Sequence, residues 1–402
     1  MIMSSEQDAY NQIVTCLKGL ETQTVEIEIL PSALCPPGPP QVIQDEQAVG
    51  IPKALLIPAF KHALRVLALG QPHNPGTVMT REQRLNATMV VLLVAPEHLT
   101  AANIRKRNLL ALYESASNTS QTNGIGIRPE FQEFTRALQV ELNLLDSLFT
   151  SPLHKHAKSP TLWSHRRWLI TKFLLNTPGP PRASEATHTT GQSSTVSPSL
   201  SKPSDLQQNQ VRLLSNEFDI VSRAALQHPR NYPAFDHLRR LVTHLMTSTT
   251  SDTMLSSEFK DALCTICEKT HKLALQNLDD TSIWAFWQYI SNVTVSHDPG
   301  GSADQNVTFA VKDTLETALR LRWRGEAIWG CLRSALASGE IVGICEDERR
   351  HGHRILKGWL VQCNLEGEGE GQDSVVTRDL EELSSIVGRA VKWIDLHWES
   401  DI

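Results

Sequence analysis

The sequence predicts an all-α protein, a solenoid of antiparallel helix pairs, with one short strand near the N-terminus. Three observations predict it. Apolar residues recur at helical spacing, as in Phe134, Leu138, Leu142, Leu145 and Phe149, while period-2 alternation is scarce. Each such stripe is followed by a short polar turn and a second helix with an aromatic residue in its opening turns. The second helices resemble one another, and self-similarity at a fixed period marks a repeat architecture.

The elements follow in order. Residues 1–50 read as an irregular leader. Its one strand is TVEIEIL, Thr24–Leu30, which ends at Pro31. Residues 51–176 read as the first part of the array, holding two repeats. Residues 177–210, rich in Pro, Ser and Thr with almost no large apolar side chain, read as a disordered linker. A weaker break covers Ser115–Ile127. Residues 211–363 hold three more repeats and a following helix. An acidic, Gly-rich loop at 364–374 leads to a C-terminal helix over 375–402.

The copies are HLTAANIRKRNLL (His98–Leu110), KSPTLWSHRRWLI (Lys158–Ile170), RNYPAFDHLRRLV (Arg230–Val242), DDTSIWAFWQYI (Asp279–Ile290) and RGEAIWGCLRSAL (Arg324–Leu336). They align on Ala102, Trp163, Phe235, Trp284 and Trp329, which lie 61, 72, 49 and 45 residues apart. Without the weak break and the linker the period is roughly 40 to 50 residues, which suits a two-helix unit. Five stacked units bury a continuous core.

The motif has a physical form. Ser159, Asn231 and Asp280 are N-cap types, and Pro160 suits a first helical turn. Three and four residues past the aromatic stand Arg166 and Arg167, or Leu238 and Arg239, on its face of the helix. A buried Trp supplies large contact area, and an Arg stem can cover it while the fork reaches carboxylates or carbonyls. Trp284 and Trp329 alone read as core. The cluster Trp163, His165, Arg166, Arg167 and Trp168, with Arg230, Asn231, His237 and Arg239 in the next copy, reads as an inter-repeat network or a partner interface.

Composition excludes several classes. Charged residues are 20%, the net charge is −6 and the pI is about 6.2. That balance gives no basic footprint for nucleic acid. The opening MIMSSEQDAYNQIV lacks a signal-peptide pattern. The most apolar run, Met89–Pro96, is too short to cross a bilayer. A cytoplasmic protein is expected, with its seven scattered cysteines mostly free thiols. Cys264-x-x-Cys267 and the pair His351 and His353 invite a metal reading, but no second ligand pair at zinc-site spacing accompanies them. No metal ligand is assigned. No Gly-rich phosphate loop and no nucleophile elbow is present.

KSPTLWSHRRW and RNYPAFDHLRR resemble the repeat of protein prenyltransferase alpha subunits, whose pattern runs roughly Asn-Tyr-x-x-Trp-x-x-Arg. The stretch TVEIEILPSALCPPGPP, followed by LLIPAFKHALRVLALG, resembles the leader of one branch of that family. The resemblance covers roughly residues 22–345 without the linkers. It implies a right-handed alpha-alpha superhelix, a crescent-shaped solenoid of antiparallel helix pairs, as a scaffold subunit that wraps a beta subunit, with zinc and geranylgeranyl diphosphate held by that partner and no cofactor bound by this chain. For this branch it implies the Rab geranylgeranyltransferase beta subunit as partner, and transfer of geranylgeranyl to a protein's C-terminal cysteine. It implies further that Lys158 and Tyr232 approach the isoprenoid diphosphate, although the Lys158 copy reads Ser159-Pro160 where the family has Asn-Tyr. The alternative is a non-enzymatic helical-repeat adaptor for protein–protein interaction.

Overall fold

A computed structural model describes residues 5–69, 79–118, 129–175, 203–248, 256–297, 302–337, 344–369 and 375–399. Fifteen α-helices and one small sheet occur among these residues. The chain divides into two compact units, Met1–Thr177 with Asp219–His237, and Pro178–Phe218 with Leu238–Ile402.

In the first unit the leader is ordered, against the expectation of an irregular segment. It contains helix α1 (Ser5–Cys16), a 3-10 turn (Leu17–Glu21) and three strands, where the sequence predicted one. Strand β1 (Glu26–Leu30) pairs in parallel with β3 (Ala48–Pro52), and β2 (Ile43–Asp45) lies antiparallel on the other side of β3. The pairing places Ile27 beside Val49 and Ile29 beside Ile51. The parallel pairing of AVGIP with β1 is non-local, and IQD is only three residues long, so neither segment carries a signal of its own. The leader is pinned to helix α5 (Pro129–Thr150) by side chains. The Ser147 and Ser151 hydroxyls accept from the Val25 and Ile27 N–H groups at 2.8 Å, and Asn143 donates to the Leu20 carbonyl at 2.9 Å.

Helix α2 (Lys53–Leu69) packs between α1 and α3 (Arg81–Val94). Helix α3 opens on a capping box: the Gln83 N–H donates to Thr80 Oγ1 at 3.1 Å, and the Thr80 N–H donates to Gln83 Oε1 at 2.9 Å. Its residues from Ala87 to Leu93 are all buried, so the apolar run at Met89 is core helix. Helix α4 (Leu99–Asn118) pairs with α5 and continues into the weak break; residues 119–127 of that break lie outside the described residues. A short helix, α6 (His154–Ala157), leads to α7 (Pro160–Leu169), which ends in a π-helical turn at Ile170–Leu174.

Helices α8 (Pro203–Gln227) and α9 (Tyr232–Ser248) contribute residues to both units. The first eight residues of α8 belong to the stretch expected as linker. Residues 177–202 of it lie outside the described residues. The second unit also contains α10 (Ser257–Gln276), α11 (Thr281–His297), α12 (Ser302–Arg320), α13 (Glu326–Ala337), α14 (Glu346–Gly369) and α15 (Val375–Glu399). Helix α14 runs into the stretch expected as an acidic loop, of which 370–374 lie outside the described residues. Helix α15 packs on α13 and α14.

The five aligned copies are helices α4, α7, α9, α11 and α13, each preceded by a first helix: α3, α5, α8, α10 and α12. Their starts share one cap geometry. Four residues before the aligned aromatic or Ala102, a side chain accepts the N–H three residues on. His98 Nδ1 takes Ala101 at 3.2 Å, Ser159 Oγ takes Leu162 at 3.1 Å, Asn231 Oδ1 takes Ala234 at 3.3 Å, and Asp280 Oδ1 takes Ile283 at 3.3 Å. The fifth copy has Gly325 there, where a Cβ would sit 1.9 Å from Asp279 Oδ1.

Candidate functional site

The motif aromatics are structural clamps. Trp163, Trp284 and Trp329 are at most 2% exposed. Each indole N–H donates to the carbonyl six residues earlier: Ala157 at 2.7 Å, Leu278 at 3.0 Å and Trp323 at 2.7 Å. The clamp ties the start of each second helix to the turn that precedes it. Phe235 has no N–H to give. The carbonyl six residues before it, that of Pro229, accepts instead from Lys158 Nζ of the preceding copy at 2.7 Å. Lys158 thus meets, from outside the copy, the acceptor that a Trp meets in the second, fourth and fifth copies.

Around Trp163 the contacts are dense. Its ring stacks on Phe149 with centroids 3.8 Å apart and planes 5° apart, and His237 lies tilted against it at 5.2 Å. Asn231, fully buried, donates to the same Ala157 carbonyl at 3.0 Å. Arg166 is buried and paired with Asp146 of α5. The position three residues past the aligned residue carries Arg166 in the second copy and Arg105 in the first. Arg105 donates to Glu141 at 2.7–3.0 Å and to Leu85 O and Thr88 Oγ1 at 2.9 and 3.0 Å. Sequence reasoning passed over Arg105 and Glu141. The signal that marks them is Arg at the same offset from Ala102 as Arg166 from Trp163.

The position four residues past the aligned residue reaches the next copy's second helix. In the first unit Lys106 Nζ lies over the Trp168 ring, 5.6 Å from its centroid, and Arg167 stands 3.7 Å from Asp236. In the second unit Arg239 donates to Ala285 O at 3.3 Å and covers the Tyr289 ring at 5.2 Å, while Gln288 donates to Cys331 O at 3.5 Å. Of the two roles open to the cluster, these contacts are those of an inter-repeat network.

His165 is fully buried, with Nε2 3.4 Å from Glu141 Oε1. Burial lowers it to about 4, against the opposing pull of Glu141 and with the help of Arg105 and Lys106. Burial alone would raise the Glu141 carboxyl, yet Arg105 and His165 beside it hold it below its ordinary value. The folded state keeps His165 neutral where the unfolded chain takes up a proton, so stability rises with pH across that interval. We expect unfolding free energy to fall by about 3 kcal/mol from this group as the pH drops from above 6.5 to about 4. Urea midpoints measured across that range for the wild type and His165→Phe check it; the variant loses that part of the slope.

The remaining predicted residues lie on the loops before α7 and α9. Lys158 is half-buried, Arg230 is exposed with a φ of 62°, and Tyr232 opens α9 at 54% exposure. His154 and His228 meet edge to face at 5.5 Å, and burial together with His154 and Lys158 draws His228 below its ordinary value. Among the described residues no group of three or more His, Cys, Asp or Glu side chains is placed to hold a metal ion, and no helix is long and apolar enough to cross a membrane.

The segments that build this geometry have a counterpart. Residues 141–173 and 214–245 match the family model of the protein prenyltransferase alpha subunit repeat. Both segments are similar to the protein prenyltransferase alpha subunit repeat. The first match spans the C-terminal part of α5 from Glu141, with α6, α7 and most of the π-helical turn; the second spans α8 from Leu214 and most of α9. The human protein prenyltransferase alpha subunit repeat-containing protein 1 is 27% identical to this chain over 169 residues, covering 42% of the chain. The match spans 32% of that relative's length. The clamp at Trp163 and the cap at Asn231 are what the repeat signature looks like in three dimensions.

Proposed function

We propose that this chain is the alpha subunit of a heterodimeric protein geranylgeranyltransferase. It wraps a zinc-containing beta subunit, that of Rab geranylgeranyltransferase, and helps to bind the protein substrate and the isoprenoid diphosphate for transfer to a cysteine thiol. The observation that carries the reading is the pair of matched segments, the first containing Lys158 and the second Arg230 and Tyr232. Zinc and geranylgeranyl diphosphate belong to the beta subunit, where the metal lowers the thiol's pKa. A cation from this chain would stabilise negative charge on the departing diphosphate. Lys158 would exchange its bond to the Pro229 carbonyl for that role.

Co-expression with the beta subunit and a transfer assay on a protein ending in cysteine test the proposal. A stable complex with turnover is expected, and no complex under gentle conditions sinks it. Lys158→Ala is expected to fold and assemble normally and to lower kcat by about tenfold or more. An unchanged kcat removes Lys158 from the mechanism and leaves it as the partner of Pro229. One observation favours the adaptor reading: the Lys158 ammonium is already met by a backbone carbonyl. Complex formation without any turnover would be the adaptor's result.

A further inference from the structure

Apart from the proposed transferase role, the loop between β1 and β2 offers a surface of its own. It reads PSALCPPGPPQV, Pro31–Val42. Both ends are fixed. Ser32–Leu34 form a 3-10 turn, after which the Cys35 N–H donates to Ser32 O at 3.3 Å. At the far end the Val42 N–H donates to Gln12 Oε1 of α1 at 3.2 Å. Between these points Pro36, Pro37, Gly38, Pro39 and Pro40 are all exposed. A Cβ added at Gly38 would meet no atom within 4 Å, so that position stands clear of the fold.

The backbone sets the shape on offer. Cys35 has φ −82° and ψ 144°, polyproline II values, because a residue that precedes proline is held extended. Pro36 also precedes a proline, and both prolines fix their own φ. Cys35–Pro37 therefore make one polyproline II turn. Gly38 then takes a φ of 123°, open to glycine and foreign to that helix. Pro36 and Pro39 keep Pro-x-x-Pro spacing in sequence, but Pro39–Pro40 do not continue the first turn. Leu34, 66% exposed, extends the apolar ridge before it. The four prolines lack N–H groups, so the run presents ring faces and carbonyl acceptors. No Lys or Arg occurs from Gly19 to Pro52, while Glu26, Glu28, Asp45 and Glu46 at the flanking strands are exposed.

We infer that Leu34, Pro36 and Pro37 dock into the single aromatic groove of a WW domain, with the proline rings gripped by its aromatic rings and a proline carbonyl accepting a hydrogen bond. Such a groove needs one polyproline II turn, already ordered here, so little entropy is lost on binding. An SH3 domain takes two successive turns of one helix, which Gly38 interrupts, and its acidic rim would face the acidic flanks of this loop. A fluorescein-labelled WW domain that binds Pro-Pro-Leu-Pro peptides is titrated with the full chain by anisotropy, beside an SH3 domain that binds Pro-x-x-Pro peptides. The WW domain should bind about tenfold tighter or more. Pro36→Ala/Pro37→Ala should raise its Kd about tenfold. Pro39→Ala/Pro40→Ala loosens the same exposed loop to the same degree and should leave that Kd within about twofold. Absence of WW binding, equal affinity for the SH3 domain, an unmoved Kd in the first double variant, or an equal loss in the second would overturn the inference.

Discussion

Arg105→Met is expected to lower the free energy of unfolding by about 3–5 kcal/mol. Arg105 and Glu141 lie with their side chains 4% exposed, and the guanidinium also serves the Leu85 carbonyl and the Thr88 hydroxyl. A buried ion pair contributes little net stability, because desolvation offsets attraction. Removing one partner is different. The Met side chain fills much of the same space, but Glu141 would remain charged and unmet, or take up a proton, with Leu85 O unmet as well. His165 beside it, held neutral by burial, is a poor replacement. Urea unfolding of Arg105→Met and of Arg105→Met/Glu141→Leu separates the two effects. The double variant should recover most of the loss. If the single variant costs under about 1 kcal/mol, the pair is not the strut it is taken to be.

Trp163→Ala should cost about 3–5 kcal/mol, the range for deleting a buried large aromatic. The ring is 1% exposed and stacked on Phe149, so truncation opens a cavity where α5 meets α7. Trp163→Phe isolates the indole N–H. Ala157 O would keep the Asn231 donor, so the Phe variant should lose only about 1 kcal/mol. Phe235 shows that the fold accepts this exchange where another donor reaches the carbonyl. Denaturant midpoints of the two variants check the order; equal losses would mean that the clamp bond, not the ring, carries the stability.

Much of the array was legible because its signals are local. Helical spacing of apolar residues, cap types at fixed offsets and the recurring aromatic place α4, α7, α9, α11 and α13 without reference to anything distant. The ordered leader was not legible. Strands β1 and β3 pair in parallel across an intervening segment, and the chain at β1 is held by Ser147 and Ser151, more than a hundred residues away. The partners of Arg167 and Arg239 were hidden for the same reason. An Arg on a helix face announces a reach, but Asp236 and the Ala285 carbonyl are supplied by the next copy.

The amino-acid sequence by itself determined the helical repeat, its register on Trp163 and Phe235, and the caps Ser159, Asn231 and Asp280 of three second helices. These depend on backbone hydrogen bonding and side-chain periodicity over a few turns. Only the tertiary structure decided what the motif's polar groups do. Trp163 clamps a preceding turn, Arg105 neutralises a buried carboxylate, and Lys158 meets the Pro229 carbonyl that a Phe cannot. Each of those outcomes depends on which acceptor lies within about 3 Å after packing, a distance that spacing along the chain does not encode.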